Sequence, residues 1–337
     1  MNLDSRSKLF DSYWIFSEQR HRAYMSRISG QPQPWSTDDI ITRYRFTNVY
    51  RASDRVSQYL IKHVQYAHEA TDDPVDVIFR TLLFKIFNNI STWETLSREL
   101  GIINYARFDF EKADQILSRK IDSGATIYSA AYIMPSPPFG AMRKHSNHLR
   151  LIKEMMEDGI ANKILQSNNL ERVYNTIKSY PGLGSFLAFQ FSIDINYSTA
   201  INFDENDFVV AGPGALDGIR KCFPQSKPDD AEKIIYWMVE NQDKEFDRLG
   251  IDFPGLFGRK LKAIDCQNIF CEISKYGRVA FPDIVGISNR TRIKQVFNSR
   301  NRRSLPQPFF PPKWNITVPD LGGQDEDSDS YQLELGI

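Results

Sequence analysis

Residues 75 to 88, VDVIFRTLLFKIFN, are apolar on nearly every face that a helix would present. Such a helix has no polar stripe to turn to water, so other elements must surround it. The rest of the chain supplies them as helices. Apolar residues recur at helical spacing in most other segments, and the alternation of a half-buried strand is scarce. The expected fold is mainly α, with any β-sheet small.

The surrounding segments can be placed in order. A helix from Leu3 to Met25 carries Leu9, Tyr13 and Phe16 on one side and is stopped by SGQPQPW, so residues 1–37 read as an amino-terminal helix and connector. A helical body spans 38–287. Within it DDIITRYRFTNVYRASDRVSQYLIKHVQYA settles into a helix through Val56, Leu60 and Val64, and Ser91 with Glu94 forms a capping box for a helix ending near Gly101. Further helices are expected over 111–121, from about Met142 to Met156 after the turn-forming MPSPPFG, and over 170–178 and 185–195. Another follows the caps Asp229 and Asp230. Residues 288–303 are basic, with Arg290, Arg292, Lys294, Arg300, Arg302 and Arg303 and no acid. Residues 304–337, proline-rich and then acidic, read as a flexible tail.

Charge and cysteine usage narrow the setting. Net charge is zero, yet six acids and no Lys or Arg lie in residues 315 to 337, which leaves the remainder basic by about six charges. That balance permits nucleic-acid binding without requiring it. Cys222, Cys266 and Cys271 are too few for a disulfide framework and fit a reducing compartment. With no apolar run of membrane-spanning length and no basic-then-apolar leader, a cytoplasmic protein is expected, or a nuclear one in a eukaryotic host.

Several chemistries lack their residues. No GxxxxGK[ST] or GxGxxG occurs, and GPGALDGIRK at 212 to 221 fits neither spacing, so neither a P-loop nucleotide site nor NAD binding is expected. The pairs His63/His68 and His145/His148 lack the cysteines or the HExxH frame of a zinc site, and Cys266 with Cys271 cannot hold an iron–sulfur cluster.

Between two expected helices stands SYPGLGSF, residues 179 to 186. A PGxG turn aims amides at the start of the following helix, where unsatisfied N–H groups and the helix dipole both favour an anion. An ordinary helical hairpin has the same outline. The stretch YPGLGSFLAFQF resembles the hairpin of the helix-hairpin-helix DNA glycosylase superfamily, with Pro181, Gly182 and Gly184 at the motif positions and Ala188 at the close helix contact. The resemblance implies that Gly182, Gly184 and Ser185 hold a DNA backbone. Phe186 stands where bifunctional glycosylases carry a lysine, which argues against lyase chemistry.

Four further segments resemble one family in the same order: RYRFTNVYRASDR (43–55), FKIFNNISTWE (84–94), FQFSIDINYS with DFVVAGPGA (189–215), and DCQNIFCEISKYGR (265–278). The family is associated with hypermodified thymine in DNA and includes the 5-hydroxymethyluracil DNA kinase helical domain and the α-glutamyl/putrescinyl-thymine pyrophosphorylases. The resemblance runs from about 40 to 285 and implies a helix-hairpin-helix, glycosylase-like fold centred on a hairpin at 170–195. It also implies double-stranded DNA with a modified thymine as the partner, and a separate P-loop kinase that phosphorylates the base. The step favoured is transfer of an amine or amino acid onto a pyrophosphorylated 5-hydroxymethyluracil, or a related thymine-modification step, rather than ATP-driven phosphorylation. A non-catalytic module that recognises modified bases and a glycosylase that excises them, with Asp204 or Asp207 steadying the cationic sugar, are the alternatives.

Each candidate residue has a plain reading beside the functional one. On a helix, Asn48, Arg51 and Arg55 share a face and, with Arg45, suit phosphate oxygens and a base edge; the plain reading is a solvated helix with Arg51, Asp54 and Arg55 paired internally. Gln190 and Asp194, one turn apart, place Asp194 as general base toward an amine or as ligand to a divalent or monovalent cation beside phosphate, the metal being left unknown. Its plain role is a terminal charge on an amphipathic helix or an arginine's partner. Gly212 and Gly214 offer amides to an anion or simply make a turn. Asn268, Glu272 and Lys275 fall on one face, where Glu272 and Lys275 also suit each other. Glu272 joins Asp194, Gln190 and Asp207 in the candidate catalytic set, with Asn268 and Lys275 for phosphate or base.

Overall fold

A computed structural model describes residues 5–131, 133–297 and 305–321. The chain is mainly α-helical, and among the described residues there is no β-strand, only two isolated bridges. Two compact units form. Among the described residues, one takes the chain up to Asp54, Phe208–Pro308 and 315–321; the other takes Arg55–Asp207 with Phe309–Trp314. The unit boundaries after Asp54 and Asp207 fall inside the 38–287 stretch that reads as one body in the sequence.

The first unit opens with α1 (Lys8–Ile28) and α2 (Asp39–Arg43). Ser7 starts α1: its hydroxyl accepts from the Leu9 N–H at 3.1 Å and donates to the Lys221 carbonyl at 2.6 Å, so one residue caps the helix and ties it to a segment distant in sequence. Leu9, Phe10, Tyr13, Trp14 and Phe16 are buried along α1.

The second unit runs through α3 (Arg55–Tyr59), π-helical turns at Leu60–Gln65, α4 (Pro74–Phe87), α5 (Ile90–Leu100), α6 (Phe110–Asp122), α7 (Lys144–Glu157), α8 (Ile160–Leu165), α9 (Leu170–Lys178) and α10 (Ser185–Tyr197). The apolar helix is central, as its sequence demands: every residue of α4 from Val77 to Phe87 is buried, and α7, α8 and α10 pack on it. Asp73 caps it with Pro74 at the first helical position. The two charges inside this apolar helix need buried partners. Arg80 donates to the Val64 and Thr71 carbonyls, both at 2.9 Å, and Lys85 pairs with Asp194 of α10 at 2.7 Å, the two side chains 4% and 1% exposed. Gln65 adds a bond from its amide to the Asp194 carbonyl at 2.6 Å.

Two local expectations change. Asn89, not Ser91, caps α5, its side-chain oxygen accepting from the Thr92 N–H at 3.0 Å, while the Ser91 hydroxyl oxygen accepts from the Lys120 ammonium at 2.8 Å. Residues 309–314, placed by composition in a flexible tail, are packed in the second unit. Lys313 donates to three carbonyls at the end of α10, those of Asn196 (2.5 Å), Ser198 (2.7 Å) and Ile201 (2.6 Å), where the negative end of the helix favours a cation. Trp314 meets Tyr197 edge-on at 5.5 Å. Residues 298–304 and 322–337, which include Arg300, Arg302, Arg303 and most of the acidic end, lie outside the described residues.

The first unit closes with α11 (Pro213–Cys222), α12 (Ala231–Arg248) and α13 (Ala263–Ala280). Helices α11 and α13 lie along one another, and the contact is set by glycines. A Cβ on Gly218 would stand 2.0 Å from the Phe270 carbonyl oxygen, and one on Gly214 would stand 3.0 Å from the Cys271 sulfur. Only glycine lets the two backbones approach so closely.

Two stability measurements follow. Gly218→Ala is expected to cost about 1–3 kcal/mol by overpacking, read as a lower thermal midpoint, while Gly184→Ala, with nothing within 4 Å of the added carbon, shifts it far less. Equal midpoints would mean that α11 and α13 are not this close. Asp194→Ala is expected to cost about 3–5 kcal/mol by stranding the Lys85 ammonium, and Lys85→Met with Asp194→Leu recovers most of that loss. A double variant no better than the single one would show that the ion pair is not what the site requires.

Candidate functional site

Helix α13 carries a polar face against which an extended segment, residues 45–50, is laid. In its first turn stands Asp265, whose carboxylate accepts from the Lys262 N–H at 3.1 Å and from the Arg51 N–H at 3.0 Å. One turn on, the Asn268 amide donates to the Asn48 carbonyl at 3.0 Å and to the Thr47 hydroxyl at 3.2 Å. Another turn on, Glu272 accepts from the Thr47 N–H at 3.1 Å and pairs with Lys275 at 2.8 Å, the Lys275 ammonium lying 4.7 Å over the Phe46 ring. A segment with no sheet to join has its backbone groups satisfied by side chains instead.

Arg20 of α1 holds the other edge. Its guanidinium donates to the Thr47 carbonyl at 3.1 Å, the Phe46 carbonyl at 3.2 Å and the Asn48 side-chain oxygen at 2.5 Å. The Asn48 side chain in turn donates to the Ser53 carbonyl at 2.7 Å, and its backbone N–H donates to Asp54 at 2.7 Å. Burial pushes the Asp54 carboxyl up to about 7. The Asn48 N–H and the Arg20 charge oppose the rise, and the neighbouring Glu272 adds to it. A half-buried carboxyl that exchanges its proton near neutrality is what general acid–base chemistry uses.

The amino end of α11 meets the same face. Gly212 starts the helix without a side-chain cap, and Gly214 rests on Cys271, the residue before Glu272. Burial raises the Cys271 thiol to about 12, so it stays protonated and is no nucleophile. No group of three or more His, Cys, Asp or Glu side chains suited to a metal occurs among the described residues.

Of the residues singled out from sequence, Asn48, Asn268, Glu272 and Lys275 come together here, with Gly212 and Gly214 beside them. The expected helical face of Asn48, Arg51 and Arg55 does not form: the chain is extended to Tyr50, makes a single 3₁₀ turn at Arg51–Ser53, and starts α3 only at Arg55, in the second unit. Asn48 is engaged with Arg20 and Ser53 rather than offered to a base. Arg45 lies half-buried with its N–H on the Gln295 carbonyl, and Arg51 is 5% exposed. Gln190 and Asp194 are buried in the second unit, Asp194 in its pair with Lys85, while Asp207 is exposed in a turn with its N–H on the Asp204 carbonyl. In the turn between α9 and α10, Gly182 has φ +83° with the 135–137 segment against it, and Gly184 and Ser185 are exposed at the start of α10, which has no side-chain cap.

Arg20 and the raised carboxyl of Asp54 were not read from the sequence. Arg20 sits in the mixed run SEQRHR, which gives no sign that it bridges to residues 46–48. Lys85 did leave a signal, a cation inside an all-apolar helix.

The sequence model of the 5-hmdU DNA kinase helical domain matches residues 7–286. The 5-hmdU DNA kinase of Bacillus phage SP10 is 26% identical over 290 residues, which cover 80% of this chain and 45% of the phage protein. The chain therefore spans less than half the length of this curated relative. No solved structure matches the chain.

The Asp54 assignment has a pH signature. With the folded-state carboxyl raised to about 7, the folded protein binds more protons than the unfolded chain between the ordinary carboxylate range and neutrality, so this group costs stability as pH rises through that window. Asp54→Asn keeps the acceptor for the Asn48 N–H and removes the buried charge. Its thermal midpoint is expected to match the parent's near pH 4, to exceed it increasingly up to about pH 7, and to stay a constant interval above it beyond. A variant less stable than the parent at pH 8 would place the contact with Arg20 ahead of burial and remove Asp54 as an acid–base candidate.

Proposed function

The chain belongs to the 5-hmdU DNA kinase helical-domain family, and from that premise we propose that it serves thymine hypermodification in DNA, acting on a flipped base derived from 5-hydroxymethyluracil. The observation that carries this reading is the family match, which spans both the hairpin before α10 and the whole polar face of α13. A base must leave the stack before its 5-position can be worked on, at a cost of a few kcal/mol that strand contacts offset. The open start of α10, with Gly184 and Ser185 exposed, suits a backbone phosphate.

The α13 face suits the chemistry. In the transfer we favour, an amine nitrogen bonds to the exocyclic methylene carbon of a pyrophosphorylated base, and the carbon–oxygen bond breaks with its electron pair leaving on pyrophosphate. The amine's proton passes to the Asp54 carboxylate. Lys275 and the first amides of α11 are suited to the departing phosphate oxygens. A P-loop kinase on another chain would supply the ester.

A second reading has its own support. Because the chain corresponds to 45% of the phage kinase, this helical part can be the recognition module of a larger system rather than its catalyst.

Duplexes carrying thymine, 5-hydroxymethyluracil or its pyrophosphate ester, incubated with the protein and either putrescine or glutamate and then digested to nucleosides for mass spectrometry, test both. A new nucleoside mass from the ester duplex alone, lost in Asp54→Asn, is the expected result. Selective binding of a modified duplex without conversion favours the recognition module, and release of free base would restore the glycosylase alternative. No binding to any duplex at low salt would end the nucleic-acid reading.

A further inference from the structure

Arg290, Arg292 and Lys294 belong to a segment that is pinned. Gly286 lies so close to Asp217 that a Cβ would stand 2.3 Å from the carboxylate, and the Ser288 N–H donates to the same carboxylate at 2.6 Å. Beyond this anchor Ile293 is buried, at 7% exposure, between the exposed Arg292 and Lys294. The segment then pairs with the stretch after α2: Tyr44 and Val296 form an antiparallel bridge, the Arg45 N–H donates to the Gln295 carbonyl at 3.1 Å, and the Phe297 N–H donates to the Arg43 carbonyl at 2.9 Å. Arg278 of α13 donates to the Arg292 carbonyl at 3.4 Å.

Six cations far apart in sequence, Arg43, Arg45, Arg278, Arg290, Arg292 and Lys294, are thereby gathered on one ribbon of the first unit. Residues 288–297 contain no acid, and among the described residues Arg43, Arg290, Arg292 and Lys294 have no carboxylate partner. The crowding registers on Arg278, whose charged form is disfavoured by burial and then by the nearby Arg290. Concentrated like charge costs a protein stability unless an anion relieves it. A glycine-locked, backbone-paired ribbon is also held in place before any partner arrives, so little ordering entropy is lost on binding.

We propose that this ribbon binds the phosphate backbone of duplex DNA, as a contact separate from the α13 polar face and from the hairpin. It rests on the reading of the protein as a DNA-modifying one and adds the surface that carries the sequence-independent part of the affinity. Backbone contacts fix position without reading bases. The ribbon therefore strengthens binding equally for modified and unmodified duplexes, and selectivity for the modified thymine arises elsewhere.

The test is the salt dependence of binding, measured by fluorescence anisotropy with thymine and 5-hydroxymethyluracil duplexes between 50 and 200 mM salt. The whole chain is compared with a variant carrying Arg290→Gln, Arg292→Gln and Lys294→Gln. All three side chains are exposed, so the fold is expected to survive, and a matching thermal midpoint checks this. The variant is expected to bind both duplexes more weakly by the same factor, with the slope of log affinity against log salt reduced by about 0.9 for each phosphate that the ribbon no longer neutralises. An unchanged slope in a variant that still binds overturns the ribbon and leaves the proposed function standing. A loss confined to the modified duplex overturns it as well, since that is base recognition. If the parent binds neither duplex, both proposals fall together.

Discussion

The near-contact of α11 and α13 governs the first unit. A carbonyl oxygen that would lie 2.0 Å from any Cβ on Gly218 leaves no room for a side chain there, and Gly214 is held almost as tightly against Cys271. Because these glycines are four residues apart, they mark one face of α11 and fix its rotation as well as its distance. The start of α11 is therefore set beside Glu272, next to the face of α13 that receives residues 46–48. Gly212 and Gly214 are attractive in sequence as an anion cradle; the helix contact gives Gly214 and Gly218 a packing reason that stands whether or not an anion binds.

What is legible in the sequence is whatever is encoded locally. The apolar run 75–88 announces a central helix, and the observed bounds of α9 match expectation because Asn169, the apolar spacing and the PGLG turn all act within a few residues. Local pattern fails where distant groups decide. Residues 45–55 have enough helical spacing to suggest a helix, yet Asp265, Asn268 and Glu272, more than 200 positions away, supply the hydrogen bonds that hold the stretch extended. The proline-rich PQPFFPPKW segment departs from expectation for the same reason. Its composition cannot build a core, but Lys313 and Trp314 can dock into one that already exists.

The candidate site is legible in part and for a similar cause. Helical periodicity alone puts Asn268, Glu272 and Lys275 on one face, and the structure keeps them there. It cannot reveal that Arg20 closes the opposite side, since nothing in an exposed-looking polar run tells which carbonyls it will reach. The polar network is also the reason Asn48 changes roles. Once its amide is shared between a guanidinium and the Ser53 carbonyl, it shapes the segment instead of reading a base edge.

Asp194 and Asp54 show how surroundings separate structure from chemistry. Asp194 faces one ammonium at 2.7 Å with both groups shut from water, and any proton it accepted would leave Lys85 as an uncompensated buried charge. Its carboxylate is committed to that pair, which holds α10 to α4. Asp54 stands between Arg20, which favours its ionised form, and Glu272, which disfavours it, while burial tips the balance toward the acid. With Arg20 and Lys275 opposite Asp54 and Glu272, the cluster is neutral when Asp54 is ionised and singly positive when it is protonated. In this mixed setting a carboxyl raised to about 7 keeps both its protonated and its ionised form within reach near neutrality.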